Sequence, residues 1–209
     1  ADRVGVVDEK GHVIWADELM SIFLPDIIKN GEDILFDVKC SQALEDMINH
    51  YGGNPIMWKT GHSLIKQKMT EVGCKFGGEM SGHIFFADDY YGYDDAIYVA
   101  ARLLELLSKT NKSLSELRSI IPVYHSTPEM RMEANNDEEK FKITKKAIEY
   151  FTKKYDCITV DGVRILFGDG WGLVRSSNTQ PVIVCRFEAN SIDRRDEIMN
   201  LVLDKLKEF

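Results

Sequence analysis

DILFDVKCSQALEDMINHYGGNPIMW, residues 33–58, runs through a strand pattern, a helix pattern and a second strand pattern without a pause. DILFDV is short, apolar and β-branched at Ile34 and Val38, which reads as a buried strand. Ser41 is placed to cap the helix that follows, with Glu45 close to the capping-box position. PIMW then reads as a short second strand. Strand, helix and strand at this pace imply βαβ units with a parallel or mixed sheet.

The same alternation extends in both directions. RVGVVDEKGHVIW, residues 3–15, is two β-rich runs around Lys10-Gly11, a hairpin signal. ADELMSIFLPDIIKNG, residues 16–31, has helical apolar spacing, acidic residues in its first turn and Gly31 at its end. Pro25 inside that pattern predicts a kink or a break. Downstream of Trp58 come the loop KTGH and a helix from Ser63 through Val72. Strands are expected in CKFGGE and HIFFADD. A long helix starts at Asp94 and Asp95, with Ile97, Ala100, Leu103, Leu104 and Leu107 as its expected apolar stripe.

Near residue 120 the texture changes. SIIPVYHSTPEM, residues 119–130, holds two prolines and ends the helical pattern, so a hinge is expected there. A strand at Glu129–Glu133, a helix from about Asp137 to Lys154, several strands and a final helix from Ile192 follow. Ile198, Leu201, Val202, Leu206 and Phe209 form the apolar face of that last helix. The fold class is therefore α/β, a βαβ mixed-sheet domain followed by a smaller α+β domain.

Composition narrows the function. With 44% hydrophobic and 29% charged residues, the chain is that of a globular protein. No apolar run approaches the ~20 residues that span a bilayer. Cys40, Cys74, Cys157 and Cys185 are scattered, which reads as reduced thiols in a cytoplasmic protein and argues against a zinc site. The net charge is −8; residues 1–120 carry 12 basic and 19 acidic side chains, and the rest 14 and 15. Such a surface repels a phosphate backbone, so nucleic-acid binding is not expected.

In sheets of this kind, ligands bind at loops beyond the carboxyl ends of strands. Three polar loops take that position: Lys39-Cys40, Thr60-Gly61-His62, and GEMSGH at residues 78–83. In the last, Glu79, Ser81 and His83 alternate with residues that allow a tight turn, and all three can hold a polyhydroxylated ligand. In the second domain RSSNTQP, residues 175–181, separates two strand patterns. Arg175 could clamp two phosphate oxygens at once, with Ser177, Asn178 and Thr179 adding donors. The alternative is an ordinary polar turn beside a solvated arginine.

DVKC, MWKTGHS, GEMSGH and RSSNTQP, in that order, resemble the α-D-phosphohexomutases, in particular the bacterial phosphomannomutase/phosphoglucomutase branch. The opening ADRVGVVD looks like the tail of the family's metal loop, DGDxDR. The resemblance implies a four-domain enzyme that interconverts hexose 1-phosphate and 6-phosphate through a phosphoserine and a hexose 1,6-bisphosphate. It places residues 1–14 at the end of the metal-loop domain, 15–121 in a sugar-binding domain and 122–209 in a phosphate-binding domain. The phosphoserine domain and two metal-binding aspartates would lie in N-terminal domains outside this sequence, so the chain is expected to be inactive alone.

By the same resemblance Asp2 would be one of three ligands to Mg2+, and Arg3 would lie beside the transferring phosphoryl group. Lys39, Glu79 and Ser81 would bind the sugar, Glu79 and Ser81 through O3 and O4. His62 and His83 are the candidates for proton transfer. Arg175, Ser177, Asn178 and Thr179 would hold the non-reacting phosphate. Expected partners are mannose and glucose phosphates, their bisphosphate and the N-terminal domains. The competing expectation is a phosphosugar-binding module without catalysis.

Overall fold

The computed structural model describes residues 1–209, which divide into two compact units, Ala1–Pro122 and Val123–Phe209. The first opens with a hairpin, β1 (Val6–Val7) against β2 (Val13–Ile14), turning through Gly11 at φ +85°. Helix α1 (Ala16–Ile27) leads to β3 (Asp33–Asp37), α2 (Gln42–His50) and β4 (Asn54–Trp58). Next come α3 (His62–Val72), β5 (Phe76–Gly78) and β6 (Ile84–Phe86), then helices α4 (Ala96–Ser108) and α5 (Leu114–Arg118). The sheet order is β4-β3-β5-β6, with β3, β4 and β5 parallel and β6 antiparallel to β5. The stretch 33–58 is thus a βαβ unit in a mixed sheet.

Alternation along the strands assigns the two faces. Ile34, Phe76 and Phe86 stand in one cross-strand row, and the Phe23 ring of α1 meets Phe76 and Phe86 edge-on at 6.1 and 5.1 Å. Leu35, Gly77 and Phe85 form the adjacent row, and Leu35 and Phe85 pack with Ile65 and Met69 of α3. Each such fully buried side chain contributes about 1.5–3 kcal/mol, and together they fix the register that brings the loops after β3, β4 and β5 to one edge.

Two local expectations are corrected and one is refined. Pro25 does not break α1, which runs on to Ile27. It lies in the last turn, where only one bond is forfeited, and the Ile28 N–H still closes on the Leu24 carbonyl at 2.8 Å. Ser41 does cap α2 by accepting from the Ala43 N–H, but Glu45 falls one position beyond the capping-box site. The buried stripe of α4 is Ala96, Val99 and Leu103, whereas Ile97 and Leu104 are 72% and 68% exposed. Asp95 caps this helix through the N–H groups of Ile97 and Tyr98, and Tyr98 and Arg102 settle over Phe86. That contact rotates Ile97 and Leu104 outward.

The second unit begins with β7 (His125–Ser126), β8 (Met130–Glu133) and α6 (Asp137–Phe151). It continues through β9 (Asp156–Ile158), β10 (Val163–Leu166), β11 (Gly170–Ser176), β12 (Val182–Ala189) and α7 (Ile192–Leu206). All its pairings are antiparallel, in the order β7-β12-β11-β10-β9, with β8 also on β12. Val163, Ile165, Val174, Cys185 and Phe187 form the core with Ala147 and Phe151 of α6 and with Ile198, Val202 and Leu206 of α7. Leu201 lies off that stripe at 40% exposure. Arg175 pairs in register with Val184, one position out of phase with the core residues Val174 and Cys185. Its side chain therefore stands on the sheet face opposite the two helices.

Candidate active site

In the first unit, the predicted site residues meet at the carboxyl edge of β3, β4 and β5. The Glu79–His83 turn is closed by Glu79 N–H on the His83 carbonyl, 2.8 Å, and Gly82 N–H on the Glu79 carbonyl, 3.0 Å. Gly82 sits at φ +101°, a backbone conformation that side-chain-bearing residues rarely adopt. Glu79 is buried, and one carboxylate oxygen accepts from the Gly61 N–H while the other accepts from the Ser81 hydroxyl at 3.4 Å. Burial, reinforced by the negative charge of Asp37, pushes the Glu79 carboxyl above its ordinary range. Lys39 is buried as well, with its ammonium 3.9 Å from Asp37.

The histidines lie side by side, with ring centroids 5.3 Å apart. Arg3 Nε donates to His83 Nε2 at 3.0 Å, which leaves Nδ1 as the ring's donor. That proton faces Asp94 Oδ2 at 2.7 Å and the Asp2 carbonyl at 3.0 Å. His62 is more exposed, its Nδ1 3.8 Å from the same Asp94 oxygen. The structure thus brings Arg3, His62, His83, Lys39, Glu79 and Ser81 into one neighbourhood.

Asp94 and Asp37 are additions to the residues singled out from the sequence. Asp94 was read as the start of a helix, but Asp95 performs the capping and leaves Asp94 to the histidines. Burial raises its carboxyl, with the His83 contact opposing. Donor atoms of Asp2, His83 and Asp94 lie within 4.8 Å of one another, and Asp94 Oδ1 is buried without a hydrogen-bond partner. A hard cation such as Mg2+ takes oxygen ligands. The exposed Asp2 carboxylate suits it, whereas both ring nitrogens of His83 are engaged by protein groups, so these three residues fall short of a complete magnesium set.

In the second unit, the loop between β11 and β12 is held from below. Lys140 on α6 is buried and donates to the carbonyls of Ser177 and Gln180 at 2.8 and 3.0 Å. The Ser177 hydroxyl accepts from the N–H groups of Thr179 and Gln180, shaping the turn, while Asn178 and Thr179 are exposed. Arg175 Nε donates to Asp161 at 2.8 Å, and its buried Nη2 has no hydrogen-bond partner. A buried guanidinium oriented by one carboxylate and retaining an unmet donor is suited to an anion, which an ordinary turn arginine is not.

The first unit is thus a mixed α/β domain with three polar loops at one sheet edge, and the second an antiparallel sheet with a buried arginine at the start of a polar loop; both match domains of one known family. Residues 15–124 match the phosphoglucomutase/phosphomannomutase alpha/beta/alpha domain III, and residues 129–205 match the C-terminal domain of the same family. The chain belongs to the phosphoglucomutase/phosphomannomutase family.

Among individual relatives, it is 46% identical to a phosphomannomutase/phosphoglucomutase of Pseudomonas aeruginosa, over 99% of this chain and 45% of that protein. It is 40% identical to a phosphoglucomutase of Neisseria gonorrhoeae, over 96% of this chain and 44% of the relative. A crystal structure of a phosphoglucomutase/phosphomannomutase family protein from Burkholderia thailandensis superposes with a TM-score of 0.88 at 39% identity, over 99% of this chain and 45% of that one. The chain therefore spans a little under half the length of these relatives. No helix is long and apolar enough to cross a membrane, and all four cysteines are free thiols.

Proposed function

We propose that this chain is the sugar- and phosphate-binding part of a cytoplasmic phosphohexomutase. The whole protein interconverts the 1- and 6-phosphates of mannose, glucose or both through a phosphoserine and a hexose 1,6-bisphosphate. The observation that carries this reading is the buried Glu79 carboxylate, tied at once to Gly61 and Ser81 where three loops meet.

A bisphosphate that must bind in two orientations needs handles that the reaction leaves unchanged. The O3 and O4 hydroxyls are such handles, and Glu79, with Ser81 and Lys39, offers them two acceptors, a hydroxyl and an ammonium. Hydroxyl donors also offset the desolvation that raises the Glu79 carboxyl. Arg3, its Nε given to His83, presents its remaining edge to a transferring phosphoryl group. Phosphoryl transfer depends chiefly on such positioning and charge stabilisation.

His83 and His62 are the groups of this chain suited to proton transfer at the sugar hydroxyl. His83 is already fixed in one tautomer by Asp94, and withdrawal of Arg3 would expose its Nε2 lone pair. Arg175, Ser177, Asn178 and Thr179 hold the phosphate that does not react. Asp2 is the residue of this chain that would hold magnesium, completed by ligands from N-terminal domains. When bound, the ion supplies charge neutralisation at the phosphoserine. Neither nucleic acid nor membrane is a partner.

Calorimetric titration of the chain with mannose 1-phosphate and glucose 1-phosphate tests this. Binding of both, weakened by Glu79→Gln and by Arg175→Ala, is expected, with no mutase turnover by the chain alone. Failure of the folded chain to bind either sugar phosphate would refute the assignment of the sugar grip to this chain. Turnover by it would overturn the proposed inactivity.

A further inference from the structure

Asp37 ends β3 as a strand residue with a fully buried carboxylate, and all three site loops converge on it. From its own loop, the Cys40 thiol donates to Oδ1 at 3.2 Å, and the Lys39 ammonium stands 3.9 Å from Oδ2. From the loop after β4, the Thr60 hydroxyl donates to Oδ2 at 2.9 Å. From the loop after β5, the Met80 N–H donates to Oδ1 at 3.2 Å. An anion this deeply buried is costly to leave unpaired, so the donors it recruits are held firmly.

The consequence falls on Glu79, the neighbour of Met80. Asp37 holds the backbone on the carboxyl side of Glu79 and also holds Thr60, the residue before the Gly61 N–H that Glu79 accepts. Neither contact reaches outward to a ligand. Both fix where the Glu79 carboxylate points.

We propose that Asp37 is the positioning residue of the sugar site: its carboxylate locks the three loops into one surface and acts on a hexose phosphate only through Glu79 and Lys39. This rests on the reading of Glu79 as the sugar-binding carboxylate. Asp37 also sets the charge environment of Glu79, which faces Asp37 from β3, Lys39 from the same loop, His83 from its own turn and the Gly61 N–H from the loop after β4. The Asp37 charge reinforces the burial that raises the Glu79 carboxyl, while the Gly61 N–H and the Lys39 ammonium oppose it.

Asp37→Asn keeps the shape and the acceptor for Met80 while removing the charge and the second acceptor. The expected result is a chain that still folds but melts below the wild type, a Glu79 carboxyl that titrates at lower pH by carbon-13 NMR, and affinity for glucose 1-phosphate reduced roughly tenfold. Because Asp37 acts through Glu79 and Lys39, the double variant with Glu79→Gln should lose less affinity than the two single losses multiplied together. Thr60→Val removes one strut, retains the charge and should weaken binding in the same direction if the Asn variant fails to fold.

Wild-type affinity in both Asp37→Asn and Thr60→Val, with Glu79 titrating unchanged, would overturn the proposal. So would a double variant whose losses simply multiply. If the wild-type chain does not bind glucose 1-phosphate, the sugar-site reading fails, and the Glu79 titration in Asp37→Asn still decides whether Asp37 governs that carboxyl.

Discussion

Gly78 is the residue on which the Glu79–His83 loop turns out of the sheet, and Gly78→Ala tests whether the loop depends on close backbone approach. A Cβ there would lie 2.7 Å from the His83 carbonyl oxygen, 2.9 Å from Met20 Sδ and 3.3 Å from Ile84 Cγ1. The methionine can swing aside, but the carbonyl cannot, because it is the acceptor of the Glu79 N–H that closes the turn. Gly78 also pairs with Ile84 in the β5–β6 ladder, so relief requires the two strands to separate at their site end. Forcing one carbon into a packed position of this kind costs about 1–3 kcal/mol. Distortion of the Glu79 bond puts the expected loss at the upper end, about 2–3 kcal/mol. At roughly 2–4 °C per kcal/mol, the melting temperature of the first unit should fall by roughly 4–12 °C. Gly5→Ala is the control, since nothing lies within 4 Å of its added carbon, and it should melt with the wild type. Scanning calorimetry reads both. A Gly78→Ala chain that melts within a degree or so of the control would refute the claim that backbone contact sets this turn.

Gly162→Ala should be worse, because its added carbon would meet the Val174 carbonyl at 2.2 Å and the Arg175 Cα at 2.7 Å, at φ +72°. A loss of about 3 kcal/mol or more in urea unfolding of the second unit is expected, together with displacement of Arg175. Lys140→Met removes the buried ammonium that holds the Ser177 and Gln180 carbonyls. It should cost about 2–3 kcal/mol and speed amide exchange at Thr179 and Gln180; unaltered exchange would show that the loop holds its own shape. Glu9 accepts from the hydroxyl and N–H of Ser115, linking the hairpin to α5, and the Ser115 hydroxyl draws its carboxyl down to about 2. A folded-state value below the unfolded one gives a contribution present above pH 4.5 and lost as pH falls toward about 2. The Ser115 amide shift should therefore titrate near the lower value, and a midpoint near pH 4.5 would show the contact to be absent in solution.

What could be read from the sequence depended on whether the signal was local. The βαβ unit at 33–58 was legible because each strand is a short, largely apolar run and the intervening helix has its own serine cap. The site loops were legible for a related reason: once β3, β4 and β5 are parallel neighbours, the polar residues after each must share an edge. The face of α4 was not. Five apolar residues matched a helical stripe, but the helix turned instead so that Tyr98 and Arg102 cover Phe86, a tertiary choice that periodicity does not encode.

The same limit hid Asp37, Asp94 and Lys140. Each is a charged residue inside a strand, beside a helix cap or on a helix face, where the ordinary reading is solvation or capping. Each earns its role from partners 11 or more positions away: Asp37 with Thr60 and Met80, Asp94 with His83, Lys140 with Ser177. The residues that would touch a ligand are therefore visible as loop motifs, whereas those that aim them are scattered and buried. A carboxylate or ammonium taken out of water survives only with its partners in place, so such positions couple the loops' geometry to the stability of the fold. Substitutions at Asp37 or Lys140 should consequently alter ligand affinity in their own unit without removing a single group that the ligand contacts.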